Sequence, residues 1–187
     1  MNTKRRDSIQ SVPPASAVRR QPWSIAAAVV LLLAGAIRFG GAVNDLWLDE
    51  IWSLQLLADH ATSPLDVFTK IHHDNNHYLN SLWLQLTGPA ASPVLCRLLS
   101  LAAGIGTVAL AALIGRRRDT ATAVLAMLLV GFSYVLVLYS SEARGYAGAV
   151  FFAFLSFLLL DRYLDRRRWQ TAVAYSLSAV LGLLSHL

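Results

Sequence analysis

Two adjacent carboxylates, Asp49 and Glu50, sit in the run Leu46-Trp47-Leu48-Asp49-Glu50-Ile51-Trp52. Acids held among tryptophans and aliphatics beside a bilayer are costly unless they pair with a cation or do chemistry. Neighbouring side chains on a helix do not face each other, so a proton-sharing dyad is not expected. One acid is expected to point into a cleft and the other towards a capping or ion-pair partner. The plain alternative is a solvated loop that carries two acids.

A second dense segment is His72-His73-Asp74-Asn75-Asn76-His77. His73 and His77 stand four apart, the spacing of a zinc-protease helix if Asp74 replaced its glutamate. The two asparagines are poor helix formers, so a helix cap with a polar rim around a substrate pocket fits better. Plain surface is the alternative, and no metal site is assigned. Ser140-Ser141-Glu142-Ala143-Arg144-Gly145-Tyr146 offers an arginine for a phosphate, or else Glu142 and Arg144 pair with each other. Arg38 and Arg97 are further isolated arginines. Each alone is explained by snorkelling, but together with Arg144 they suggest an anionic headgroup.

The elements that position these residues are apolar helices. The 187 residues are 56% hydrophobic and 14% charged, with mean hydropathy +0.50. Ordinary soluble domains carry roughly 25% charged residues. An all-α, polytopic membrane protein is expected. The +5 formal charge sits at segment ends and not on a solvated basic face, so no nucleic-acid partner is expected. The single cysteine, Cys96, leaves the redox compartment open.

Five stretches suffice to cross about 30 Å of hydrocarbon: 23–43, 94–115, 121–139, 145–161 and 169–187. The stretch 78–87 is too short. Its Leu79, Leu82, Trp83 and Leu86 form an amphipathic stripe suited to lying along the interface. With the N-terminus cytoplasmic, this count places 12 of the 16 basic residues inside, as membrane topology favours. Outside lie 7 of the 11 acids, with the histidines outside or at that boundary. Residues 1–21 read as a disordered cytoplasmic tail, with an uncleaved anchor following it in preference to a signal peptide. In the first outer loop, Asn44 or Asp45 suits the cap of a short helix with Trp47, Ile51 and Leu54 on one face. Ser63-Pro64 with Asp66 suits the start of a second, and Asn75-Asn76 the cap of 78–87.

In this order the pieces resemble the C-type glycosyltransferases that use polyprenyl-phosphate sugars, in the bacterial branch related to protein O-mannosyltransferases and aminoarabinose transferases. The resemblance rests on Arg38, Leu46 to Glu50, Asp74-Asn75-Asn76-His77-Tyr78-Leu79, Arg97-Leu98-Leu99-Ser100, Ser141 to Tyr146, and Ser185-His186. It implies that residues 22–187 are the N-terminal transmembrane module of such an enzyme, apparently truncated. The outer catalytic loop would be 44–93 and the second outer loop 140–146. The catalytic aspartate maps to Asp49 and the acid late in the loop to Asp74. Tyr78 stands where relatives often have proline, and Asn75 where aminoarabinose transferases have a phosphate-contacting lysine. Those departures shift phosphate binding towards the arginines.

The resemblance implies sugar transfer at the outer face of the cell membrane, from a polyprenyl-phosphate donor to a lipid, glycan or protein hydroxyl. Asp49, Glu50 and Asp74 are the catalytic candidates. Arg38, His77, Arg97, Glu142, Arg144, Tyr146 and His186 are the substrate-binding candidates. The cofactor stays open: a divalent cation is compatible with the loop, but the spacing does not require one. The rival class is a non-catalytic lipid-binding or scaffold subunit, or a lipid translocator; a membrane metalloprotease ranks third.

Overall fold

The computed structural model describes residues 21–71 and 77–187, and among them every regular element is a helix. The tail expected over 1–21 lies outside the described residues, except that Gln21 already opens the first helix. Asp74, with the rest of 72–76, also lies outside them.

Among the described residues three helices, not the five expected, are long and apolar enough to cross a membrane by themselves: α1 (Gln21–Ala42), α5 (Pro93–Arg116) and α8 (Tyr146–Arg166). Between α1 and α5 come α2 (Leu48–His60), α3 (Asp66–Thr69) and α4 (Tyr78–Thr87). The expected straight span over 121–139 is instead two helices, α6 (Thr120–Gly131) and α7 (Tyr134–Ser140), bent by 62°. Counted as one broken crossing, they make a fourth. The 17 residues of α9 (Trp169–Ser185) cover about 25 Å at roughly 1.5 Å per residue.

Helix α5 is the hub, packed against α1, α4, α6, α7 and α8, while α9 packs mainly on α8. Its start has Ser92 as cap, the hydroxyl accepting from Leu95 N–H at 3.3 Å, with Pro93 in the first turn. Proline there gives up only an N–H that the helix leaves unpaired. Val30, Ala34, Val108, Ala112 and Met127 close one apolar core among α1, α5 and α6. A second core lies beneath the loop helices, made by Leu57, Val67, Ile71, Leu84, Cys96 and Ala143. Burying side chains such as Leu57 and Leu84 stabilises by about 1.5–3 kcal/mol each, which fixes the first loop on the bundle.

At one end of the bundle Arg117 pairs with Asp161 at 2.5 Å and with Asp165, joining α5 to α8. Arg116 lies 4.7 Å over the Trp23 ring of α1. The candidate chemistry gathers at the other end, about 30 Å along α5.

Candidate functional site

Glu50 and Arg97 are both fully buried and form an ion pair, Arg97 Nη2 to Glu50 Oε2 at 2.6 Å and Arg97 Nε to Glu50 Oε1 at 2.9 Å. Arg97 also donates to the carbonyls of Ala42, Asn44 and Asp45. Glu50 accepts from Trp47 N–H at 2.7 Å, capping α2, and from Ala143 N–H. The cap is therefore Trp47 with the Glu50 carboxylate, not Asn44 or Asp45. A carboxylate three residues into a helix satisfies a backbone donor that otherwise has none. Glu50 and Arg97 are thus an internal joint tying α1, α2, α5 and the 140–146 loop together. Glu50 is fully buried on these partners and is absent from the linings of both cavities that Arg144 touches, which corrects its place among the catalytic candidates.

Arg38 is likewise withdrawn from any ligand. It is fully buried, with Nη1 donating to Gly131 O at 2.7 Å and Ala34 O at 3.1 Å, Nη2 to Val130 O at 3.2 Å and Nε to Ser140 Oγ at 3.3 Å. It occupies the carbonyls exposed where α6 breaks into α7. The expectation of three unpartnered arginines at this end is corrected: all three have protein partners, and two are enclosed by them.

The third partnership differs. Arg144 Nη1 lies 3.0 Å from Asp49 Oδ2, with the Asp49 side chain 61% exposed. Arg144 pairs with Asp49 and not with Glu142. Burial, the largest influence, pushes the half-buried Glu142 carboxyl up. The Arg144 guanidinium also lies 4.8 Å over the Tyr146 ring, a favourable cation–π placement.

Asp49 and Arg144 line a cavity of about 440 Å³, with Trp52, Ser53, His77 and Tyr78 on its walls. The two adjacent acids therefore do diverge, Asp49 to the cavity and Glu50 to the joint. A second cavity of about 440 Å³ also touches Arg144 and is walled mainly by apolar residues. The stripe Leu79, Leu82, Trp83 and Leu86, expected to lie along the interface, lines it. Arg144 alone among the charged residues lines both cavities.

No protein-family model, no curated protein and no solved structure matches this chain. The reading of the site rests on its own geometry.

Behind Arg144 an aromatic group forms. Tyr139 stacks on Tyr146 at 4.6 Å, and His77 and His186 stand against Tyr146 at 5.1 and 4.7 Å. Gly145 makes this closeness achievable, because a Cβ there would meet Ser185 O at 1.6 Å and His77 Nδ1 at 2.6 Å. Asn80 donates to Ala143 O at 2.5 Å, fixing α4 to the same loop.

The first loop departs from expectation at its second helix. Asp66, not Ser63, is the acceptor at its start, taking Thr62 N–H, Thr62 hydroxyl and Ser63 N–H at 2.9 Å each. Bonds from Lys70 first and then Thr62 hold its carboxyl well below the usual range. The 78–87 helix stands where expected, but its N-cap position is His77, with no side-chain cap bond, and not Asn75 or Asn76; it ends at Gly88, whose φ of +80° suits glycine.

Sequence reasoning missed Trp52, Tyr139, Asn80 and Ser185. Trp52 had a signal, one turn on from Asp49 on the same helix face. Tyr139 and Ser185 reach the site only through the packing of α7 and α9, which local spacing does not carry. Among the described residues no three His, Cys, Asp or Glu side chains meet to hold a metal ion. His73 and Asp74 of the zinc-like spacing lie outside the described residues.

Proposed function

We propose that this chain binds a lipid phosphate that carries a sugar and transfers that sugar to an acceptor hydroxyl. The observation that carries the reading is that Arg144 lines two cavities: one of mixed character that holds Asp49, Ser53 and His77, and one walled almost wholly by apolar residues of α4, α5 and α8. A polyprenyl-phosphate sugar has that same order of parts: an apolar chain, one phosphate, a polar headgroup. The guanidinium suits the phosphate, since arginine matches its oxygens with two donors at once.

In this reading the acceptor hydroxyl attacks the anomeric carbon and the sugar–phosphate C–O bond breaks. The phosphate leaves with the bonding electron pair and the hydroxyl proton passes to Asp49, the general base. Arg144 stabilises the charge developing on the leaving phosphate. The resemblance to C-type glycosyltransferases adds inversion at the anomeric carbon. We take α6 with α7 as one broken crossing and α9 as the fifth. The N-terminus is then cytoplasmic, and the Asp49 cavity opens at the outer face of the cell membrane.

The test is the full chain reconstituted in vesicles with undecaprenyl phosphate carrying radiolabelled glucose or mannose, and a soluble acceptor panel including water. Wild type releases label and Asp49→Asn releases at least 100-fold less while still binding the lipid. Binding without release in wild type supports instead a non-catalytic lipid-phosphate subunit. Absence of binding refutes both. Cysteine labelling at position 117 from the cytoplasmic side alone checks the orientation.

A further inference from the structure

We propose that His77 is a hydroxyl-recognising residue: its Nε2 lone pair accepts a hydrogen bond from a hydroxyl of the sugar headgroup in the Asp49 cavity. The inference rests on the lipid-phosphate reading above and specifies which atom reads the headgroup.

The ring's protonation pattern follows from one contact. His77 Nδ1 lies 3.2 Å from Ser185 O. A carbonyl oxygen only accepts, so Nδ1 carries the hydrogen, and in the neutral ring Nε2 is left as a bare acceptor. Neutrality has a cause. Burial pushes the His77 pKa down to about 4, His186 and Arg144 push the same way, and the Ser185 carbonyl only partly opposes them.

That acceptor has no partner among the described residues, although the side chain is 93% buried (7% exposed). Buried polar atoms are nearly always satisfied, and none of the described residues supplies this one with a donor. The neighbours do not supply it. The Arg144 guanidinium is held between Asp49 and the Tyr146 ring. The His186 ring lies 5.0 Å away, centre to centre. His77 forms part of the wall that also carries Asp49 and Arg144, and the exposed His186 packs beside it. A headgroup whose phosphate rests on Arg144 brings its hydroxyls to this wall. A hydroxyl supplies the donor the lone pair lacks.

The test separates the two readings. His77→Asn keeps a side-chain N–H for Ser185 O and, being shorter than the imidazole, leaves no acceptor at the position of Nε2. Affinities of the full chain in nanodiscs are measured for undecaprenyl phosphate and for undecaprenyl phosphate bearing glucose or mannose. His77→Asn is expected to weaken binding of the preferred sugar lipid about tenfold and leave bare undecaprenyl phosphate unchanged. Arg144→Gln is expected to weaken all of them. Equal affinities of wild type and His77→Asn for every sugar lipid, with Arg144→Gln still weakened, overturn the role of His77 alone. An Arg144→Gln chain that binds undecaprenyl phosphate as wild type overturns the reading beneath it. As a check independent of folding, monodeoxy sugar lipids are titrated against wild type. One deoxy position is expected to reproduce the tenfold loss; no sensitive position overturns the proposal.

Discussion

Glu50 and Arg97 hold each other in full burial, two charges with no exposed surface, and their remaining side-chain hydrogen bonds go to backbone groups of Ala42, Asn44, Asp45, Trp47 and Ala143. Removing one partner strands the other charge in a dry site, which costs roughly 3–5 kcal/mol. Glu50→Gln is therefore expected to lower the unfolding midpoint in detergent sharply. Arg97→Lys is expected to fall nearly as far, because one ammonium cannot replace a fork donating to three carbonyls and a carboxylate. Neither substitution is expected to change the proposed sugar transfer per folded molecule, and that comparison separates the joint from the Asp49 cavity.

Arg38 makes a related prediction at the break between α6 and α7. Arg38→Met leaves the carbonyls of Gly131 and Val130 without donors in an apolar setting, at about 2–4 kcal/mol. Thermal unfolding reads the loss. Affinity for undecaprenyl phosphate is expected to stay within twofold of wild type, since Arg38 lines neither cavity beside Arg144. A tenfold loss of affinity in a well-folded variant would return Arg38 to the phosphate site.

These arginines also mark how far the sequence could be read. Helices α1, α4, α5 and α8 were legible because apolar runs of sufficient length, or a stripe at helical spacing, specify them locally. The divergence of Asp49 and Glu50 was legible too, since adjacent helical side chains must part. The bend between α6 and α7 was not. Residues 121–139 read as one apolar run, and its break depends on Arg38, some ninety residues earlier, taking up the freed carbonyls. For the same reason Arg38, Arg97 and Arg144 looked alike in sequence, though two are enclosed by carbonyl and carboxylate partners and one borders both cavities. The role of the 79–86 stripe depended on α5 and α8 forming the opposite wall.

Stability between pH 6.5 and 4 is expected to fall as acid is added. His77 has a folded pKa of about 4 against 6.5 for an ordinary histidine. In that window the unfolded chain binds the extra proton, so the His77 contribution is complete above pH 6.5 and is lost as the pH falls towards 4. Glu142 works oppositely, its carboxyl raised above 4.5 by burial, so its contribution is present in acid and lost as the pH rises through its folded value. Unfolding midpoints across the window in wild type and His77→Asn isolate the histidine. The variant is expected to show a flatter slope, and an unchanged slope excludes His77 as its source.

Gly145 packs directly against the last residue of α9 and leaves no room for a side chain. In Gly145→Ala the new methyl meets the Ser185 carbonyl and the His77 ring, and the first of these is backbone that cannot rotate away. The end of α9 is then forced from its seat, at a cost of about 1–3 kcal/mol by analogy with overpacked cores. Hydrogen exchange at the C-terminal turn of α9 reads the displacement directly. Faster exchange confined to that turn is the expected result; uniform exchange across the bundle contradicts the local account.

The ion pair between Asp49 and Arg144 implies a trade between binding and turnover. In the ligand-free chain the Asp49 carboxylate occupies Nη1 of Arg144 at 3.0 Å, so an incoming phosphate must compete with it for the guanidinium. Asp49→Asn removes the competing charge and leaves an amide of the same shape. Exposed pairs of this kind contribute at most about 1 kcal/mol, which corresponds to a change of up to about fivefold in affinity. Asp49→Asn is thus expected to bind undecaprenyl phosphate two- to fivefold more tightly while transferring no sugar. A titration at low and high salt distinguishes the causes, because a gain from relieved competition shrinks as added ions screen the pair. If Asp49→Asn instead binds more weakly at every salt concentration, the carboxylate is holding Arg144 in its phosphate-binding pose, and the base would have to be sought elsewhere on the cavity wall.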